Sequence, residues 1–100
     1  MPTKAVKNSP IPGEIVAIVE TLEKGGFQAY LVGGCVRDLF LGRTPKDWDV
    51  TTNANPEQIQ ALFTKTVYEN VYGTVVVIDE TVEDLALRNV EVTPYRIESG

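Results

Sequence analysis

The chain has 100 residues, 43% hydrophobic and 23% charged, with nine Lys and Arg against fourteen Asp and Glu and a formal net charge of -5. That is material for one domain with a real core, too apolar for disorder and too short for several domains. With one cysteine, Cys35, and no histidine, an internal disulfide, a Cys/His zinc site and Ser-His or Cys-His nucleophile pairs are all excluded.

The amino-terminal stretch has no basic region followed by an apolar run, and no window approaches the roughly 18 apolar residues of a membrane helix. The expectation is a soluble cytoplasmic protein without membrane contact. The acidic balance argues against a nucleic-acid partner, but it hides a split. Residues 1–46 carry six basic and four acidic side chains, whereas residues 47–100 carry three and ten. An anion site is expected in the first part and a cation site in the second.

In chain order, residues 1–11 are polar, hold two prolines and lack periodicity; they read as a flexible lead-in to a domain over 12–100. Ile15, Ile18, Val19 and Leu22 then line one face of a helix that Gly25 and Gly26 stop. A strand over 27–32 runs into Gly33 and Gly34. A short helix over 35–41, with Val36, Leu39 and Phe40 on one side, ends at Gly42, and a strand is expected over 47–51.

Thr52 or Asn55 caps the next helix, Pro56 suits its first turn, and Ile59, Leu62 and Phe63 form its buried face. Residues 67–72 are ambiguous, with Gly73 marking a bend. Strands over 74–78 and 90–97 form a hairpin whose connection, 79–89, reads as mobile. The fold class is α/β (α+β), a small mixed sheet with helices packed mainly on one side.

Two features carry chemistry. Gly33 and Gly34, at a strand-to-helix junction, let backbone N–H groups approach a phosphate closely, and Arg37 on the first turn adds a fork-shaped donor. On a strand, Asp47 and Asp49 share a face while Trp48 points into the core. Adjacent carboxylates repel unless a hard cation neutralises them; Mg²⁺ prefers carboxylates, waters and phosphate oxygens. A phosphate cradle beside metal-holding carboxylates suits phosphoryl or nucleotidyl transfer.

Each piece alone has a structural account. The glycines serve a turn, the acids are solvated, Arg37 pairs with Asp38, Glu14 or Glu20, and Cys35 is a buried small side chain. A calcium loop beginning at Asp47, Asp49, Thr51 and Asn53 is a second reading, but its sixth position is Thr52 instead of Gly and its twelfth Gln58 instead of Glu. No P-loop or G-x-G-x-x-G run is present.

The segments LVGGCVRDLFLGR at 31–43 and PKDWDVTT at 45–52 resemble the signature of the head domain of class II tRNA nucleotidyltransferases, the CCA-adding enzymes and bacterial poly(A) polymerases of the DNA polymerase β superfamily. Residues 53–63, 73–75 and 91–98 are similar to that family's helix and later strands. The resemblance implies a nucleotidyltransferase fold in which Gly33, Gly34 and Arg37 bind the triphosphate of ATP or CTP. It implies Mg²⁺ held by Asp47 and Asp49, and a third catalytic carboxylate for which Glu91 is the candidate.

It also implies a substrate, the 3′ end of RNA and chiefly of tRNA, gripped by further domains. The residues that choose CTP or ATP lie on later segments in that family. The expectation is therefore a catalytic head of a larger enzyme, or a truncated head that binds nucleotide and metal without turnover. CCA addition, poly(A) synthesis and partial CC- or A-addition share these motifs.

Overall fold

The computed structural model describes residues 11–69 and 73–95. Helix α1 spans Gly13–Lys24 and buries Ile15, Ile18, Val19 and Leu22, the expected face. Its end is closed by two backbone bonds, Gly26 N–H to Glu23 O and Phe27 N–H to Leu22 O, which satisfy carbonyls that a helix end leaves orphaned. Ile11, placed in the lead-in by its sequence context, is buried in the core; residues 1–10 of that lead-in lie outside the described residues.

Strand β1 (Ala29–Val32) leads through Gly33 into α2 (Gly34–Phe40), followed by β2 (Asp49–Thr52) and α3 (Pro56–Leu62). A capping box, in which Asn55 and Gln58 each accept from the other's backbone N–H, starts α3 with Pro56 in its first turn. Strands β3 (Thr66–Tyr68) and β4 (Val75–Ile78), a one-turn helix α4 (Leu85–Arg88) and β5 (Asn89–Pro94) complete the fold.

The five strands form one mixed sheet in the order β1-β2-β5-β4-β3, with β2 and β5 parallel and every other pair antiparallel. Register places Leu31, Val50, Val92 and Val75 in one row, all with no exposed surface. Helices α1 and α3 pack on that side with Ile15, Leu22 and Ile59, so the other face of the sheet stays open. It carries Asp49, Thr51, Glu91 and Thr93, each half-buried.

Several expectations need correction. β2 begins at Asp49 instead of 47, and Asp47 stands on the bend before it. Phe40 is not part of a buried face. Cys35 and Val36 carry the burial of α2, while Phe40, its last residue and at the rim of the apolar arc, is 79% exposed. The 79–89 connection carries α4, capped by the Asp84 carboxylate accepting from Ala86 N–H, and a turn in which Asp79 accepts from Thr81. The ambiguous segment supplies β3, while 70–72 and the end of the last expected strand, 96–97, lie outside the described residues.

Three substitutions check these placements. Ile59→Ala should cost about 2–5 kcal/mol by leaving a cavity under the sheet, and Asn55→Ala about 1 kcal/mol by removing the cap. Phe40→Ala should stay within about 0.5 kcal/mol of the parent in urea unfolding. A large loss for Phe40→Ala would contradict its exposed placement.

Candidate functional site

The site is built where β1 ends. Gly33 has φ +81° and ψ -150°, a region that residues with a Cβ rarely enter. A Cβ there would lie 3.4 Å from Asp49 Oδ2, and one on Gly34 would lie 3.4 Å from Arg37 Nη2. The bare backbone of the turn is thus bracketed by a carboxylate on one side and a guanidinium on the other. Arg37 is largely exposed, with Nε 3.7 Å from Asp38 Oδ1; so loose an ion pair leaves it available to another anion.

Gly42, at φ +72°, closes α2. Arg43 N–H donates to Asp38 O at 2.8 Å and Gly42 N–H to Leu39 O at 3.2 Å, and the chain turns back along the helix. This brings Arg43, Thr44 and Lys46 around a cavity of about 560 Å³ that Gly34, Cys35, Arg37, Asp38, Asp47 and Asp49 also line. A larger cavity, about 720 Å³, lies between α1 and the end of β4. It holds none of the residues to which the sequence assigns phosphate or metal chemistry, so chemistry selects the smaller one.

Asp47 and Asp49 do share this cavity, but not by strand alternation, since only Asp49 is on the strand. Trp48 between them is buried as expected. Glu91 is the register partner of Asp49 across the parallel β2–β5 ladder, about 4.8 Å away strand to strand. Val90 and Val92 on either side are fully buried, which turns Glu91 to the open face.

The Glu91 carboxyl is pushed up to about 7, first because it shares a hydrogen bond with the Asp49 carboxylate, then by burial and by Glu69. Cys35 is buried, its thiol donating to Val32 O at 3.1 Å, and burial pushes that thiol up. It is the inert cysteine of the structural account.

Among the described residues, no three acidic or thiol side chains converge as a metal-binding group. The donor chemistry nevertheless suits a hard cation. The Asp49 carboxylate beside Glu91 pushes the Glu91 carboxyl up, a crowding that a cation would relieve, and Asp47 lines the same cavity as Asp49. One or two carboxylates are what Mg²⁺ takes from a protein when phosphate oxygens and waters fill its other positions.

Sequence reasoning missed three contributors. Arg43 and Lys46 are the local form of the basic excess before residue 47, and only the Gly42 turn shows that they face the acids. Glu69, beyond β3, reaches Glu91 because β3 and β4 pair.

An open-faced mixed sheet backed by helices, with a glycine turn meeting acids on its central strands, defines a nucleotidyltransferase-type head. The family model described as "Poly A polymerase head domain" matches residues 29–100. The chain belongs to that family.

It is 65% identical over 46 residues to poly(A) polymerase I of Haemophilus influenzae, covering 46% of this chain and 10% of that protein. Over 98 residues it is 43% identical to the CCA-adding enzyme of Leuconostoc citreum, covering 94% of this chain and 23% of that protein. The crystal structure of the Bacillus stearothermophilus CCA-adding enzyme in complex with CTP is 42% identical, with a TM-score of 0.69 over 80% of this chain and 19% of that one. The chain thus spans less than a quarter of the length of each of these relatives.

The Glu91 shift has a consequence for stability. Its folded value, about 7, lies above the ordinary 4.5, so the native chain holds a proton that the unfolded chain releases. The contribution is present below about pH 4.5 and is lost as pH rises through 7. In EDTA, Glu91→Gln should raise the Tm at pH 8 by about 4–8 °C for each kcal/mol of repulsion relieved, and leave it unchanged at pH 4. Identical Tm values at pH 8 would contradict the crowding of the two carboxyls.

Proposed function

We propose that this chain is the catalytic head of an Mg²⁺-dependent nucleotidyltransferase that adds nucleotides from CTP and ATP to an RNA 3′ end, in tRNA CCA addition. The observation that carries this reading is the 3.4 Å approach of Asp49 Oδ2 to the side-chain-free position at Gly33. A backbone turn suited to phosphates and a carboxylate suited to a cation meet at one place. Identity to a CCA-adding enzyme over nearly the whole chain supports it.

In this reading the Gly33–Gly34 backbone receives the triphosphate, and Arg37, Arg43 and Lys46 offset its charge. Asp47 and Asp49 hold the Mg²⁺. When bound, that ion neutralises phosphate charge and lowers the pKa of the attacking hydroxyl. Glu91, register partner of Asp49 on the next strand, is the third carboxylate beside the ion's place. The acceptor 3′ oxygen forms a bond to the α-phosphorus, the bond from that phosphorus to the bridging oxygen breaks, pyrophosphate leaves, and the hydroxyl proton passes to solvent. In this reading the protein is cytoplasmic and meets nucleotide and tRNA there.

Poly(A) polymerase activity is the second reading, favoured by the 65% identity over 46 residues to such an enzyme. Incubation with tRNA lacking its CCA end, Mg²⁺ and labelled CTP or ATP separates the two. Incorporation of C followed by a single A supports CCA addition, and runs of A from ATP alone support the second reading.

Binding tests the site without requiring turnover. The double substitution Asp47→Ala, Asp49→Ala should weaken Mg²⁺-dependent binding of labelled CTP by more than about tenfold, a loss of about 1.4 kcal/mol. Unchanged binding would reject the assignment. Gly33→Ala should weaken binding as well, because its Cβ would both strain the turn and crowd Asp49.

A further inference from the structure

The open face carries a second polar row that the acids and the glycine turn leave unused. Thr51 and Thr93 are register partners on β2 and β5, two residues beyond Asp49 and Glu91 and about 7 Å from them at the usual strand rise. Tyr30 pairs with Thr51 on one side. On the other, Thr74 Oγ1 lies 3.0 Å from Thr93 Oγ1.

The hydroxyls of this row are only partly committed. Thr51 donates to the Thr93 carbonyl at 2.9 Å and keeps lone pairs for accepting. In the Thr74–Thr93 pair one hydroxyl donates to the other, so one O–H remains to donate. Thr74 is buried and Thr93 half-buried; with Thr74 as donor, the spare O–H belongs to Thr93 at the open face. Thr51 as acceptor and the Thr74–Thr93 pair as donor thus stand side by side without formal charge.

Position gives the row its meaning. β1 runs toward Gly33, so Val32 and Asp49 lie at the turn end, while Tyr30 and Thr51 lie farther from it. Attacking and leaving oxygens stand roughly in line across a transferring phosphorus. With pyrophosphate leaving at the Gly33–Gly34 turn and the phosphorus beside Asp49, the attacking hydroxyl arrives over Thr51 and Thr93. A ribose end, whose 2′-hydroxyl both donates and accepts, matches what those two residues offer.

We infer that Thr51 and Thr93 seat the terminal ribose of the acceptor RNA, holding its 2′-hydroxyl while its neighbouring 3′-hydroxyl reaches the phosphorus. This rests on the nucleotidyl-transfer reading. The seat selects an RNA end over a DNA end, a property that the acids and the phosphate turn do not supply.

The test measures, by fluorescence anisotropy with the whole chain and Mg²⁺, binding of a short RNA against the same oligonucleotide with a 2′-deoxy 3′-terminal nucleotide. Binding of CTP and of dCTP is measured in parallel. The unaltered chain should favour the ribose end by about three- to tenfold, the scale of one neutral hydrogen bond. Thr51→Val and Thr93→Val should each bring that ratio close to one with CTP binding kept, and Thr51→Ser, which retains the hydroxyl, should preserve it.

A ratio of one in the unaltered chain overturns the seat, as does a preference that survives both valine substitutions. If the valine variants instead lose discrimination of CTP from dCTP while the oligonucleotide ratio stands, the row holds the incoming nucleotide's ribose and the acceptor assignment is overturned. Failure of the unaltered chain to bind CTP rejects the underlying transferase reading, and the seat with it.

Discussion

Asp49 and Glu91 occupy one register position on adjacent parallel strands, and the rest of the structure can be understood from what holds two acids so close. Left to themselves the side chains would separate, but the residues that alternate with them are anchored on the opposite side. Val50, Val90 and Val92 have no exposed surface and pack with Ile15, Leu22 and Ile59 under the sheet. Burial of one such side chain is worth about 1.5–3 kcal/mol, so several together hold a repulsion that no single contact could. Core and site are two faces of the same strands.

The surroundings of the pair are arranged around its charge. The Gly33 turn brings backbone, with no side chain interposed, against Asp49. The Gly42 turn folds Arg43 back against α2, and Lys46 joins it at the rim of the same cavity. A chain with net charge -5 therefore presents a local pocket of mixed sign, lined by Arg37, Arg43 and Lys46 together with Asp38, Asp47 and Asp49. That suits a ligand that is itself an anion and brings a cation with it.

Much of this is legible in the sequence. α1 and α3 are long enough for apolar spacing to show, and their ends carry chemical signals: the paired glycines that stop α1, and Asn55 with Pro56 that start α3. The β-branched runs of β4 and β5 and the glycine turn were readable for the same local reasons. What stayed hidden depends on neighbours. Helical spacing put Phe40 on an apolar arc, but the arc extends farther than the surface it packs on. Alternation explained Trp48 and Asp49, yet Asp47 reaches the cavity through a bend that no period describes. α4 is too short for periodicity, and the approach of Glu69 to Glu91 follows from strand order, which local sequence does not encode.

The order of strands divides the sheet into two parts that are each local in sequence: β1 with β2, and β3 with β4 and β5. They meet only along the parallel β2–β5 ladder. Pairings between distant segments carry the larger loop-closure cost and tend to form late in folding. The acidic pair and the Thr51–Thr93 row both straddle this seam, each contributing one residue from either side. The glycine turn, Asp47 and Asp49 all belong to the first part, so that half alone would carry the phosphate cradle and its carboxylates but lack Glu91 and Thr93. Docking of the two parts therefore adds the second member of each pair to a cradle already shaped by the first.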